Sequence, residues 1–482
     1  MNRKFTFSTE EVDRAIAENR LLTMEIEFTL RCNYKCPYCY ISSHGVPKGE
    51  MTRDEIMSVL KQAKDLGVRK IIILGGEPLL YPEVFEMIDY ISKLGMFVEM
   101  FTNGSLITPE AAKKLYDARV KVVLKLNSFD PVVQEQLTLV ENALPKAMQA
   151  FENLRQAGYP DDKAPLAVSS VLTTLNLEEA PRLWRWLRDQ DIDPYFEIIT
   201  PQGRANSGES LMPDNEDLRR IFFEISEIDA KEYGRHWEPQ PPLVGERCMR
   251  NRYSCLVTST GKVFPCVGIT ESIGDIREKP LAEIIEDSEI ICNLKNYRQM
   301  LKGPCAACDK ADDCYGCRGS AYQLTGDYLA SDPLCWRNGG KLDRIDTLPA
   351  DAKTLLPHEE PILLVDRLLK QGERSGVVEA RIKEDCIWLD PEKKLLRSAY
   401  IEVAAQATAV LDSFMHCKKV CGGMLIGARD FASYNDVEAG DTLRIEIFRE
   451  FSLNEMGIVS AKVFNQEQLV AEGELKIWQQ KD

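Results

Sequence analysis

Three cysteines stand close together near the amino terminus, in Cys32-Asn33-Tyr34-Lys35-Cys36-Pro37-Tyr38-Cys39. Their spacing, Cys-x3-Cys-x2-Cys, crowds three soft donors onto one short loop, and such donors suit a soft metal or a cubane iron–sulfur cluster. No histidine adjoins them, so a four-iron cubane bound here would have one iron without a protein ligand. An open coordination position is what separates a catalytic metal centre from a closed structural one. A second array lies far downstream: Cys248, Cys255 and Cys266, the pair Cys305 and Cys308, the pair Cys314 and Cys317, and finally Cys335. Eight thiols make two sets of four, the number that two fully ligated cubanes or two closed zinc sites need. Spacing alone leaves both open. Eleven of the fifteen cysteines fall in these groups, which a scatter of buried thiols does not explain. Cys292, Cys386, Cys417 and Cys421 read as ordinary small packing residues.

The elements that must position the first triad alternate between short β-like runs and amphipathic helical stretches. Strands are expected at Thr23–Leu30, Lys70–Leu74, Phe97–Phe101, Lys121–Leu126, Leu166–Leu172 and Tyr195–Ile199. Helices are expected at Arg53–Leu66, Pro82–Leu94, Pro109–Ala118, Val140–Ala157 and Leu177–Gln190, several opening on a residue that suits a helix start. Repeated strand–helix units imply a parallel sheet with right-handed crossovers, hence a (β/α) barrel or an open partial one. Parallel strands present their carboxyl ends on one face, where such folds place chemistry. The residues just past those ends are the cysteine triad, then Gly75-Gly76-Glu77-Pro78, then Thr102-Asn103-Gly104, then Lys125-Leu126-Asn127-Ser128. A metal-binding loop, a glycine pair that lets backbone approach a ligand, and several polar hooks converge on one mouth. Lys125 is a cation placed where a ligand carboxylate is expected.

The bulk composition narrows the remaining classes. The 482 residues suffice for two to four domains, and 44% apolar with 28% charged residues is ordinary for a globular protein. A net charge of −16 excludes an extended basic surface for nucleic acid or anionic membrane. No apolar run reaches the roughly 18 residues needed to span a bilayer, and no signal-peptide core is present. A cytoplasmic protein is expected, in which clustered cysteines point to metal rather than disulfides.

The triad with Tyr38 before its last cysteine, together with Gly75-Gly76-Glu77-Pro78, strongly resembles the radical S-adenosylmethionine (SAM) enzymes. The resemblance implies that Cys32, Cys36 and Cys39 hold a [4Fe–4S] cluster whose open iron chelates SAM. It further implies that Gly75, Gly76, Glu77 and Pro78 flank the methionine amino group, that Tyr38 lies near the adenine, and that Asn103 and Lys125 face the ribose or carboxylate. In that family one electron enters the cluster, the sulfonium C–S bond breaks, and a 5′-deoxyadenosyl radical removes a hydrogen atom from the substrate. Cluster potentials reach as low as about −700 mV, so reduced flavodoxin or ferredoxin is the expected donor.

The downstream array resembles the SPASM extension, which carries two auxiliary [4Fe–4S] clusters. By that resemblance Cys248, Cys255, Cys266 and Cys317 hold the first and Cys305, Cys308, Cys314 and Cys335 the second, making three clusters with SAM as the further cofactor. Cys314 and Cys317 are separated by two residues where the family has three. With every thiol used, both auxiliary clusters would be closed and would relay electrons rather than bind substrate. Sulfatase-maturing members carry an acid directly after the third cysteine of the array. Here that position is Val267, which disfavours formylglycine formation.

After residue 345 the texture changes. An apolar helical stretch, Ser398–Met415, precedes alternating runs at Met424–Phe431, Thr442–Phe448, Gly457–Phe464 and Leu469–Trp478, which suggests a sheet wrapped round a helix. The segments Leu356–Arg367 and Ile401–Ala407 resemble the hotdog fold of 3-hydroxyacyl-carrier-protein dehydratases. Glu402 sits where that family has its helix acid, while Trp388 stands where the catalytic histidine is expected and His358 lies in a segment not catalytic in most members. A degenerate hotdog serving dimerisation, or holding an acyl or pantetheine thioester, is the expectation.

The expected architecture is thus an α/β partial (β/α)6 barrel over 1–236, a cysteine-rich SPASM domain over 237–345 behind a Trp237–Pro242 linker, and an α+β hotdog domain over 346–482. The expected function is that of a radical SAM/SPASM oxidoreductase acting on an acyl-carrier- or CoA-linked substrate or a small metabolite, without nucleic acid or membrane, as a homodimer through the hotdog domain. The enzyme alternative is radical modification of a ribosomally made peptide. The non-enzymatic one is an iron–sulfur electron carrier or scaffold.

Overall fold

A computed structural model describes residues 5–18, 20–41, 48–206, 211–338, 348–358, 360–372, 374–415, 423–453 and 456–479. Cys417, Cys421 and the expected boundary at 345/346 lie outside the described residues. The chain divides into two compact units, Met1–Gln323 with Tyr328–Lys341, and Leu324–Asp327 with Leu342–Asp482.

In the first unit, strands β1 (Thr23–Glu27), β2 (Lys70–Leu74), β3 (Phe97–Thr102), β4 (Lys121–Lys125), β5 (Leu166–Leu172) and β6 (Asp193–Ile198) pair in sequence order, every ladder parallel. This is the expected partial barrel. Each crossover carries helical turns that start where the sequence allows: Thr52 and Glu55 form a capping box ahead of Arg53–Asp65, and Thr108 caps Pro109–Asp117. Strand β1 stops at Glu27 rather than Leu30. Beyond it the Leu30 amide donates to Glu50 (2.8 Å) and the Thr29 carbonyl accepts from Gly76 (2.9 Å), so the chain leaves the ladder to meet the glycine pair after β2.

The same sheet continues past β1. Strands β7 (Leu256–Val257), β8 (Lys262–Phe264) and β9 (Gly274–Asp275) extend it, with β7 parallel to β1 and the rest antiparallel. The second cysteine array is therefore hydrogen-bonded to the strand that delivers the first, and the Glu25 amide donates to the Cys255 carbonyl at 2.8 Å. The expected linker at Trp237–Pro242 is packed instead. Trp237 donates its indole N–H to Asp229 (2.9 Å), Pro242 accepts from Ile198 (3.1 Å), and Val244 donates to Phe196 (3.0 Å), so the segment covers the free edge of β6. Its proline-rich composition suits this place, because an edge neighbour need not donate at every residue.

Alternation along the barrel strands puts charges into the lumen. At the amino ends Glu99 accepts from Lys70 (2.7 Å) and lies 3.7 Å from Lys121, which lies 3.6 Å from Asp193. Burial alone raises the pKa of Glu99, but the two lysines outweigh it and hold the carboxyl at about 2. The folded pKa lies below the unfolded one, so this contribution is whole above about pH 4.5 and is lost as pH falls towards 2. Such a shift is worth about 3 kcal/mol. Glu99→Gln is expected to lower stability at pH 7 by a comparable amount and to flatten the loss of stability between pH 4.5 and 3, read by urea unfolding. An unchanged acid slope would remove Glu99 from that role.

The second unit is an antiparallel sheet in the order β10 (Ala350–Asp351), β11 (Arg367–Gln371), β12 (Ser375–Arg381), β14 (Thr442–Leu453), β15 (Met456–Asn465), β16 (Gln468–Gln479), β13 (Gly423–Ser433). Its core is the helix Ala399–Met415, with Tyr400, Val403, Ala404, Ala407, Val410 and Leu411 all buried. The alanines let the sheet approach closely, the hotdog arrangement expected of the alternating runs. Strands β11 and β12 are additional to those expected; they are short, and charges interrupt their alternation.

Candidate active site

The triad loop is held from several sides. The Tyr34 amide donates to the Cys32 sulfur (3.4 Å), and Lys35 donates to the Thr138 carbonyl (3.2 Å). From beyond β6, Arg204 gives its Nε to the Cys36 carbonyl (2.8 Å) and its amide to the Cys39 carbonyl (2.9 Å). The glycine pair after β2 is there for lack of side chains. A Cβ on Gly76 would stand 2.0 Å from the Arg31 carbonyl oxygen, and one on Gly75, at φ +114°, 2.5 Å from that of Thr29. Only bare backbone can pass so close to the root of the cysteine loop.

Cys32, Cys36 and Cys39 open on a cavity of about 320 Å³ that also touches Gly75, Gly76, Asn103, Tyr38 and Lys125. Glu77 and Pro78 are buried beside it. The Glu77 carboxylate is occupied by Thr102 Oγ1 (2.8 Å) and the amides of Asn103 (2.8 Å) and Leu79 (3.1 Å), an arrangement that fixes the end of β3 against the glycine pair. Asn103 donates to Asn33 within the triad loop (2.9 Å). The Tyr38 hydroxyl accepts from Asn127 (2.7 Å), and Lys125 lies over the Tyr38 ring at 5.3 Å. Burial pushes Lys125 below the ordinary lysine value, while Glu197, 3.8 Å away, opposes that fall; Lys125 also donates to Ser169 (3.0 Å).

The same cavity reaches the second array, for Cys248, Cys266 and Cys317 line it as well. Two backbones cross there in van der Waals contact, since a Cβ on Gly268 would lie 2.6 Å from the Gly319 Cα. That crossing brings the Cys266 and Cys317 segments together. Cys255 is fully buried near Glu25 and Lys295, away from the cavity surface. A separate group forms round Cys305, whose sulfur accepts from the Asp332 amide (3.4 Å) and from Asn338 (3.3 Å). Cys314 and Cys335 lie close enough to feel its charge, and Cys308 donates an amide to its carbonyl (3.3 Å). Burial raises Cys255, Cys266, Cys317 and Cys335 to about 12, and Cys36 and Cys314 to about 11. Each must shed its proton to bind metal, so assembly would release protons.

The donor set fits clusters. Backbone amides donate to the sulfurs of Cys32, Cys305, Cys314 and Cys317, the kind of outer contact that supports thiolates in an iron–sulfur centre.

Sequence reading missed a polar wall. Glu25, on β1, pairs with Arg250, which donates its other nitrogen to the Tyr195 hydroxyl on β6 (2.7 Å). Glu27 accepts from Tyr40 (2.8 Å) and from the Ser259 amide (3.2 Å), and burial raises its pKa. The available signal was Glu25 and Glu27 at a period of two in an otherwise apolar strand, which marks a polar face turned into the lumen.

In the second unit, Glu402 is partly buried and accepts from Gln406 (2.8 Å), which also grips Ile362 and Leu364. His358 is partly buried, its Nδ1 without a hydrogen-bond partner among the described residues, and Trp388 packs on the core. Among the described residues no hydrogen bond joins Glu402 to His358.

Three family models match the chain: the Radical SAM superfamily over residues 26–187, an iron–sulfur cluster-binding domain (SPASM) over 248–314, and ApeP dehydratase over 350–482. The AdoMet-dependent heme synthase of Methanosarcina barkeri is 31% identical over 341 residues, 65% of this chain and 96% of that protein. The PqqA peptide cyclase of Bradyrhizobium diazoefficiens is 27% identical over 336 residues, 65% of this chain and 86% of that protein. SuiB of Streptococcus suis bound to S-adenosylmethionine shares the fold, with a TM-score of 0.52 at 18% identity over 68% of this chain and 80% of that one. No helix among the described residues is long and apolar enough to cross a membrane.

Proposed function

The chain belongs to the radical SAM superfamily, with a SPASM domain behind its core, and on that premise we propose an oxidoreductase that uses three [4Fe–4S] clusters. One observation carries the reading: the triad thiols and three thiols of the second array face a single cavity. Bound SAM and the triad cluster supply a carbon-centred radical able to take a hydrogen atom from a substrate. The chain's own residues do the rest. Cys32, Cys36 and Cys39 would hold one cluster, and three thiolates would leave a fourth iron without a protein ligand. Gly75 and Gly76 would offer backbone to the methionine amino group, and Lys125 and Arg204, on the wall of the same cavity, would be cations for its carboxylate. Tyr38, Tyr40, Phe101, Tyr195 and Tyr315 wall the cavity and exclude water. The thiols of the second array, three of which line the same cavity, would hold clusters able to accept an electron from an oxidised substrate. Cys248, Cys255, Cys266 and Cys317 form the array's first set, and Cys305, Cys308, Cys314 and Cys335 the second. A low-potential donor, reduced flavodoxin or ferredoxin, would start each turnover.

The substrate reading is a small carboxylated or acyl-linked molecule. Lys125, Arg204, Arg250 and Arg318 outnumber Glu25 and Glu197 on the cavity wall, the heme synthase match extends over 96% of that relative, and the ApeP-type domain supports an acyl thioester origin. A peptide substrate is the second reading, favoured by the similarity to a peptide cyclase. Anaerobically reconstituted full-length protein is expected to carry about twelve irons, four per cubane, and to form 5′-deoxyadenosine with dithionite and SAM. Zinc in place of iron, or no 5′-deoxyadenosine, would sink the proposal.

A further inference from the structure

Arg318 follows Cys317 directly and opens the helix Arg318–Thr325. Its side chain lines the cavity wall with only 1% of the residue exposed. One nitrogen, Nη1, donates to the carbonyls of Tyr328 (3.0 Å) and Ala330 (2.5 Å). Among the described residues, Nε and Nη2 have no hydrogen-bond partner. The guanidinium rests against bare backbone at Gly316, where a Cβ would lie 2.8 Å from Nη2. That glycine separates Cys314 from Cys317, which belong to different groups of the array. The nearby Asp332 carboxylate feels the Arg318 charge but gives its oxygens to the amides of Cys317 (2.7 Å) and Leu334 (3.0 Å), and among the described residues it makes no ion-pair contact with the free N–H groups.

A guanidinium keeps its proton at any working pH, and a buried one without a counter-anion is costly. Its missing partner should therefore be an anion that the folded chain expects at this place. Four thiolates on an oxidised cubane leave a net charge of about −2, and one added electron makes it about −3. A fixed cation stabilises the second state more than the first and so raises the reduction potential.

We propose that Arg318 is the built-in countercharge of the second array, directing its free N–H groups at the cluster held in part by Cys317 and tuning that cluster to accept an electron. The inference rests on the proposed cluster binding, which iron content and the auxiliary electron-paramagnetic signals of the wild-type protein test separately.

The test is a redox titration of the reconstituted full chain, monitored by those signals, with Arg318→Gln and Arg318→Lys. Arg318→Gln is expected to lower the equilibrium constant for reducing one auxiliary cluster by at least about tenfold, which is about 59 mV for one electron. Arg318→Lys should restore most of that, and the triad signal should stay in place. If Arg318→Gln loses auxiliary iron while Arg318→Lys keeps it at the wild-type potential, the countercharge role stands. An unmoved potential, an equal movement of the triad signal, or loss of auxiliary iron in both variants would overturn it.

Discussion

Cys36→Ala is expected to abolish 5′-deoxyadenosine formation while leaving the auxiliary iron in place. Two thiolates are one short of the triad's set, and the stretch from Cys32 to Cys39 has no other cysteine and no histidine, so about four of about twelve irons should be lost and SAM cleavage should fall below detection. The auxiliary signals should persist, because neither set takes a thiol from the triad: Cys248, Cys266 and Cys317 share only the cavity with Cys36, and Cys305 and its companions form a separate group. Cys292→Ala is the matching control. Its thiol is exposed and should cost neither iron nor activity. The readouts are iron content, chromatography of the nucleoside product, and spectra of the reduced protein. If Cys36→Ala emptied every site at once, the triad would be a structural element of the unit rather than its SAM-cleaving end.

Asp229→Ala carries the largest expected loss of stability. The carboxylate is fully buried and accepts four hydrogen bonds: the indole of Trp184 (2.7 Å), Nε and Nη2 of Arg188 (3.0 and 2.8 Å) and the indole of Trp237 (2.9 Å). Burial pushes its pKa up, but Arg188 and the indoles more than reverse that and hold it below the usual carboxylate value. Removing it strands a cation and two indole donors inside the fold, a loss of about 3–5 kcal/mol. Calorimetry should show it as a clear fall in Tm. The strap from Trp237 to Val244 along β6 should loosen with it, so limited proteolysis should cut there first. An undiminished Tm would mean that the network forms without contributing to folding.

Much of the first unit could be read in the chain because its information is local. Lys70–Leu74 and Leu166–Leu172 are apolar runs bounded by helix caps, and they appear as strands with those very bounds. The triad, the glycine pair, Asn103 and Lys125 could be placed on one mouth because parallel topology leaves no other arrangement. What stayed hidden depends on distant partners. Glu25 and Arg250 are 225 positions apart, and no pattern within either segment foretells the pair. Glu77 was legible as part of the glycine-pair motif, but its contacts to Thr102, Asn103 and Leu79, which tie the end of β3 to that motif, were not. Trp237–Pro242 looked like a linker, because proline-rich composition marks a chain without regular structure and does not say whether something else packs on it. Arg318 carried no signal at all, since an arginine after a cysteine ordinarily points to water.

The place of β1 between β2 and β7 has an engineering consequence. An amino-terminal fragment ending near residue 236 would retain every strand of the partial barrel and yet strip β1 of one neighbour. The strand that presents the triad would become a bare sheet edge, a template for association with other chains. The region bearing the second array is therefore a wall of the barrel rather than an appendage. The spacing between the two sets of thiols is set by the sheet's ladder and twist, so it cannot be adjusted by lengthening or shortening a connecting loop. Altering the reach of this enzyme would mean rebuilding the sheet.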